Sequence, residues 1–96
     1  RAAQETIEQL SAYPVDRRVA ATLLALADRM GREEDGAILI DTVLSRQDLA
    51  DMTGATVETV SRVLSDFRRA GLVDSGRRWI AVRDRVRLSE LARRGA

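Results

Sequence analysis

The stretch SRQDLADMTGATVETVSRVLSDF, residues 45–67, holds three residues whose sizes fix how two helices can cross. Ala50 is small enough for a second helix to pass close over the first. Gly54 can take the left-handed backbone of a tight turn, and Val60 is the aliphatic residue the second helix must bury. Leu49 and Val63 supply the supporting core. Random helical hairpins rarely meet all three demands in order, so the spacing predicts a helix-turn-helix. Ser45 can cap the first helix, Arg46 to about Met52, with Asp48 at its third position reaching back in a capping box. Thr56 caps the second, which runs to Ala70 and stops at Gly71. Glu58 falls in its first turn, where the helix dipole favours an anion.

The flanks organise around this unit. Ala3, Ile7 and Leu10 repeat as the last turns of an amphipathic helix ending at Tyr13-Pro14, because proline disfavours helical geometry in the residue before it. Asp16 can cap a further helix to about Met30 that buries Val19, Leu23, Leu26 and Met30, with Gly31 as its stop. Glu33 to Gly36 reads as a turn and Ala37 to Val43 as a short strand. After Gly71, Leu72-Val73, a turn at Asp74-Ser75-Gly76 and Trp79 to Val82 alternate as a hairpin, with Arg77 and Arg78 near its tip. Asp84 caps a last helix carrying Leu88, Leu91 and Ala92, ended by Gly95. The fold class expected is mainly α with a small antiparallel β part (α+β), a winged helix-turn-helix.

Ninety-six residues suit one small domain. The apolar share of 45% and charged share of 32% are those of a folded globular chain. The longest apolar-rich run, Val19 to Ala27, is far shorter than the roughly 20 residues a bilayer needs, and no signal-like segment is present. Cys and His are both absent, which removes thiol nucleophiles, disulfides and the usual transition-metal ligands. No glycine-rich phosphate cradle occurs, and no carboxylate pair sits in an apolar run. The expectation is therefore not an enzyme. The chain begins at Arg1 rather than Met, as a piece of a longer protein would.

The net charge of +1 names no partner, but its distribution is uneven. Residues 77–96 carry seven arginines against two acids, whereas the earlier segments are slightly acidic. Every basic residue is Arg, whose fork matches phosphate and guanine edges. On the second helix, Thr56, Val57, Glu58, Ser61 and Arg62 face away from the core near the N-terminus, within reach of base edges when such a helix enters the major groove. Arg62 can bond guanine O6 and N7 together, and Glu58 can accept from a cytosine amino group. The same two residues also make an ordinary i, i+4 ion pair worth a few tenths of a kcal/mol. Arg77 and Arg78 can lie along phosphates, adding affinity without sequence information, or can form a solvated loop tip.

The run LSRQDLADMTGATVETVSRVLSDFRRAGLV, followed by a hairpin, resembles the C-terminal winged helix of the Crp/Fnr family of bacterial transcription regulators. YPVDRRVAATLLALADRMG resembles that domain's hinge and first helix, and the residues before Tyr13 resemble the end of the family's dimerisation helix. The resemblance implies a division into residues 1–13, dimerisation helix and hinge, and residues 14–96, the DNA-binding domain. The Crp branch carries Arg-Glu at the helix start, with Gly before an Arg four residues after the Glu. Here Val57 and Ser61 replace that Arg and Gly, which is the Fnr-like pattern. It implies a TTGAT-type half-site in inverted repeat, read by a dimer. Arg62 would lie on guanine and Glu58 on the opposing cytosine, with Ser61 and Val57 helping to select thymines. Ser45, Arg46 and Gln47 match positions that touch backbone and nearby bases, and Arg46 and Gln47 equally fit exposed helix-start residues. Thr56 and Thr59 match phosphate contacts. Double-stranded DNA, RNA polymerase and a second copy of the chain are the implied partners, in the cytoplasm. No cofactor is expected in this segment. The sensing domain, which in the family holds an iron–sulfur cluster, haem, a cyclic nucleotide or nothing, would lie upstream. A different class of function also fits the residues: a winged-helix protein-interaction module whose basic end docks an acidic partner.

Overall fold

The computed structural model describes the backbone of residues 2–93 and the side chains of residues 15–93. Four helices and four strands follow in the order α1 (Ala2–Met30), β1 (Gly31–Glu34), β2 (Ala37–Ile40), α2 (Arg46–Thr53), α3 (Val57–Arg69), β3 (Val73–Gly76), β4 (Trp79–Val82) and α4 (Arg85–Arg93). The strands form one antiparallel sheet in the order β1-β2-β4-β3. This is the expected winged helix-turn-helix of the α+β class.

The helix ends of the central unit fall where the capping residues put them. Ser45 takes extended backbone and its hydroxyl accepts from the Asp48 N–H, while the Asp48 carboxylate accepts from the Ser45 N–H, both at 3.0 Å. The Thr56 hydroxyl accepts from the Thr59 N–H at 3.1 Å. Asp84 caps α4 by accepting the Arg87 N–H at 3.1 Å. Phe67, Leu64, Val63 and Val60 from α3 meet Val19, Ala20 and Leu23 from α1, Leu49 and Ala50 from α2, Ile40, Val73, Ile80 and Val82 from the sheet and Leu88 from α4 in a single core.

Several expectations are corrected. The helix does not break at Tyr13-Pro14: α1 continues through it, so Asp16 lies inside a helix and is not its cap. Proline removes one amide from the ladder, and here the turns on either side hold their helical form. The side chains of Ala3, Ile7 and Leu10, and residue Gly95, lie outside the described residues. Leu26 and Met30 are only partly buried at the edge of the core. Gly31–Glu34 is a strand, fully exposed and lacking any alternation, because its place is set by backbone pairing with β2. A two-residue turn closes that hairpin, with Asp35 and Gly36 both at positive φ. Strand β2 ends at Ile40, and Val43 is solvent-exposed in the loop that leads to Ser45. Met52, on α2, is exposed too.

The turn of the second hairpin lies further along the chain than expected. Asp74, Ser75 and Gly76 belong to the ladder, and the turn is Arg77-Arg78, with Arg78 at φ 65°. This register sends Val73, Ser75, Ile80 and Val82 inward together. A turn at 74–76 would leave Val73 without its partner Val82.

Candidate nucleic-acid interface

Gly54 takes φ 68° and ψ 31°, the left-handed conformation that lets α3 start immediately after α2. Its N–H and that of Ala55 both reach back to the Ala50 carbonyl. Ala50 is 1% exposed beneath the crossing, where a larger side chain would push the helices apart. An anchor from outside the unit was not legible in the sequence: Arg18 on α1 donates from Nε to the Thr53 carbonyl at 2.8 Å, clamping the end of α2.

With Val60, Val63, Leu64 and Phe67 buried, the opposite face of α3 is fixed. Val57, Glu58, Ser61 and Arg62 are all exposed on it, and Thr56 stands exposed at its head. Glu58 and Arg62 do not form the i, i+4 ion pair, and among the described residues neither has an ion-pair partner. The local explanation for this pair is therefore not realised. Both side chains are exposed, Glu58 in the first turn of α3 and Arg62 one turn further along.

Six of the seven residues assigned to backbone contact fall in two groups, and Gln47 stands apart. Ser45, Arg46, Arg77 and Arg78 line one open cleft with Gly76, between the start of α2 and the hairpin tip. Arg46 is half-buried and donates from Nη1 to the Gly76 carbonyl at 3.3 Å, and the Leu44 N–H donates to the Arg78 carbonyl at 3.1 Å. Arg46 thus braces the wing and is not a free helix-start residue. Thr56 and Thr59 sit at the α3 N-terminus, where their hydroxyls bond each other at 3.0 Å. Gln47 is exposed, and its amide donates to Asp51 at 2.9 Å. Near the cleft, the Asp48 carboxyl is held below its usual range, first by the Ser45 N–H, then by the Ser45 hydroxyl, with Arg78 adding a weaker pull.

The basic C-terminal segment is less basic than its composition suggests. Arg83 pairs with Asp74 at 3.8 Å, Arg87 with Asp84 at 3.7 Å, and Arg85 with Asp28. Arg77, Arg78 and Arg93 are the arginines of residues 77–93 left without an ion pair among the described residues. Two of these three form the wing tip, so uncompensated positive charge gathers there.

A family model described as the Crp-like helix-turn-helix domain matches residues 17–91. The chain is 37% identical over 79 residues to a CRP-like cAMP-activated global transcriptional regulator of Mycobacterium tuberculosis, covering 82% of this chain and 35% of that protein. It is 35% identical to the transcriptional activator protein FnrL of Cereibacter sphaeroides, covering 95% of this chain and 39% of that protein. The chain thus spans little more than a third of the length of these relatives. Among solved structures, a transcriptional regulator of the CRP/FNR family from Thermus thermophilus superposes with a TM-score of 0.75 at 33% identity, over 95% of this chain and 46% of that one.

Proposed function

Since the chain belongs to the family of Crp-like helix-turn-helix domains, we propose that it is the DNA-binding part of a transcription regulator that reads a TTGAT-type half-site through α3. The observation carrying this reading is the set Val57, Glu58, Ser61 and Arg62, exposed on one face, with Glu58 and Arg62 outside any ion pair among the described residues. In the major groove, the Arg62 fork donates to guanine O6 and N7, and Glu58 accepts from the amino group of the opposing cytosine. Val57 and Ser61 border the thymine methyls. Thr56, Thr59, Ser45, Arg46 and Gln47 contact the flanking backbone, and the wing tip lays Arg77 and Arg78 along phosphates.

The whole regulator pairs two copies on an inverted repeat. Its sensing takes place in a domain beyond this segment, with an iron–sulfur cluster, haem or a cyclic nucleotide as the candidate signals. It works in the cytoplasm with RNA polymerase as its partner in transcription. The relatives support this reading by their own roles as transcription regulators.

A fluorescence titration with an inverted TTGAT repeat tests the assignment. Specific binding is expected, and Arg62→Ala should weaken it by about 1–3 kcal/mol, the span of one bidentate base contact. Equal affinity for scrambled DNA would sink the sequence-specific reading. No binding to any DNA at low salt would point instead to a protein-interaction module.

A further inference from the structure

The face of the sheet turned away from the core is not flat. Ile40, Ile80 and Val82 turn inward, so Ala37 and Leu39 on β2 and Trp79 and Ala81 on β4 fall on the opposite face, with Leu39 and Ala81 direct partners across the two strands. Ala37 and Ala81 are nonetheless only 8% and 7% exposed. They lie, with Leu39, in an open cavity of about 310 Å³ walled by Trp79. That volume matches the lower end of small-ligand sites, and none of the residues assigned to DNA lines it.

The wall is held in place by the fold. Trp79 keeps 40% of its surface exposed, yet its indole occupies space that a Cβ on Gly76 would enter, to within 2.1 Å of Nε1. Glycine on one side and the cavity on the other leave an indole already ordered before anything binds, so little side-chain entropy remains to be lost. The face of an indole is electron-rich and attracts cations.

The rim supplies charge of the same preference. Glu34, Asp35 and Asp74 line the cavity against one guanidinium, Arg83. Asp74 is already engaged: one oxygen faces Arg83 at 3.8 Å and the other accepts the Ser75 N–H at 2.9 Å. Arg83 is thus matched, and an anion would find no free cation at this rim. Asp35 has no ion pair among the described residues, and Glu34 meets only Arg32, in a pair that is more than half exposed on both sides and therefore weak.

From the apolar floor, the ordered indole and the two available carboxylates, we propose that this cavity binds a small organic cation, a guanidinium on a short aliphatic stem. The stem lies on Ala37, Leu39 and Ala81. The planar head stacks on Trp79 and donates to Asp35 and Glu34. A guanidinium suits the site better than an ammonium because it is planar, weakly hydrated and able to offer a carboxylate two parallel N–H groups.

Trp79 is the chain's one tryptophan, so its emission reports on the site directly. The probes are butylguanidinium and its uncharged counterpart butylurea, titrated into this chain. Butylguanidinium is expected to change the emission saturably, with half-saturation on the order of 1 mM, a realistic affinity for so few atoms. Butylurea should bind about five-fold more weakly or not at all. The Glu34→Gln/Asp35→Asn double variant, in which asparagine tolerates the positive φ of position 35, should weaken butylguanidinium about five-fold while keeping the unfolding midpoint and the affinity for the inverted TTGAT repeat. Trp79→Leu, followed by calorimetry, should abolish the binding. An unsaturable response, equal binding of butylurea, or a double variant that binds like the wild type overturns the proposal. A short arginine peptide that binds where butylguanidinium does not would make the cavity a protein contact and overturn it too.

Discussion

Ser45 and Asp48 set the start of α2 reciprocally, each side chain accepting from the other's backbone N–H. Ser45→Ala removes one acceptor at a helix N-terminus and is expected to lower stability by about 1 kcal/mol in urea unfolding at pH 7. The pH dependence belongs to Asp48. Its folded carboxyl lies below its ordinary value of 3.8, so its stabilisation is fully present above that value and is lost as pH falls through the lower folded one. Asp48→Asn should therefore be destabilising at neutral pH and converge on the wild type in acid. A difference that stays constant with pH would show that the charge is not the cause. Both caps were legible in the sequence because capping acts within four residues and needs no tertiary partner. The side chain of Asp16 was misread as a cap for the complementary reason: nothing local announces that a helix will run on through a proline.

At the scale of elements, the wing depends on a contact that composition does not reveal. Gly76 pairs with Trp79 across the hairpin, and a Cβ at Gly76 would come within 2.1 Å of the Trp79 indole Nε1 and 2.5 Å of its Cε2. The indole lies over the glycine, and the Gly76 carbonyl holds Arg46. Gly76→Ala should thus displace the ring, shift the emission of the chain's one tryptophan, and cost about 1–3 kcal/mol, the usual range for overpacking. An unchanged emission spectrum and unfolding midpoint would mean that the ring does not rest there. The sequence placed a hairpin here but set its turn at Asp74-Ser75-Gly76, reading those residues by their turn preference. Register is decided by which side chains the core accepts, and Ser75 takes an inward slot opposite Ile80. Strand β1 was missed for a related reason. Gly31-Arg32-Glu33-Glu34 is exposed throughout, so hydrophobic alternation had nothing to report, although Asp35-Gly36 is a recognised two-residue hairpin turn.

Across the whole molecule, a net charge of +1 conceals a sorted surface. Arg83, Arg85 and Arg87 are neutralised by Asp74, Asp28 and Asp84, and Asp28 comes from α1 at the other end of the described chain. Positive charge remains open at the wing tip and on α3. Replacing both Arg77 and Arg78 by alanine should reduce the slope of log affinity against log salt by about two, one for each phosphate the wing no longer neutralises, and leave the preference for the inverted TTGAT repeat intact. An unchanged slope would remove the wing tip from the interface. A changed preference would place these arginines among the base-reading residues.

The sequence by itself determined the helix-turn-helix, because that unit is fixed by local rules: Ser45 and Thr56 cap, Gly54 turns, and Ala50 and Val60 set the crossing. It also determined which face of α3 is free, since the 3.6-residue period that buries Val60, Val63 and Phe67 leaves Val57, Glu58, Ser61 and Arg62 outside. Only the tertiary structure decided which charges remain available. Whether Glu58 pairs with Arg62, whether Arg46 is free or braces the wing, and whether a C-terminal arginine is already neutralised all depend on partners far away in the chain or on rotamers chosen in the fold. Sequence periodicity specifies direction from a helix axis. It carries no term for what another element brings to meet the side chain.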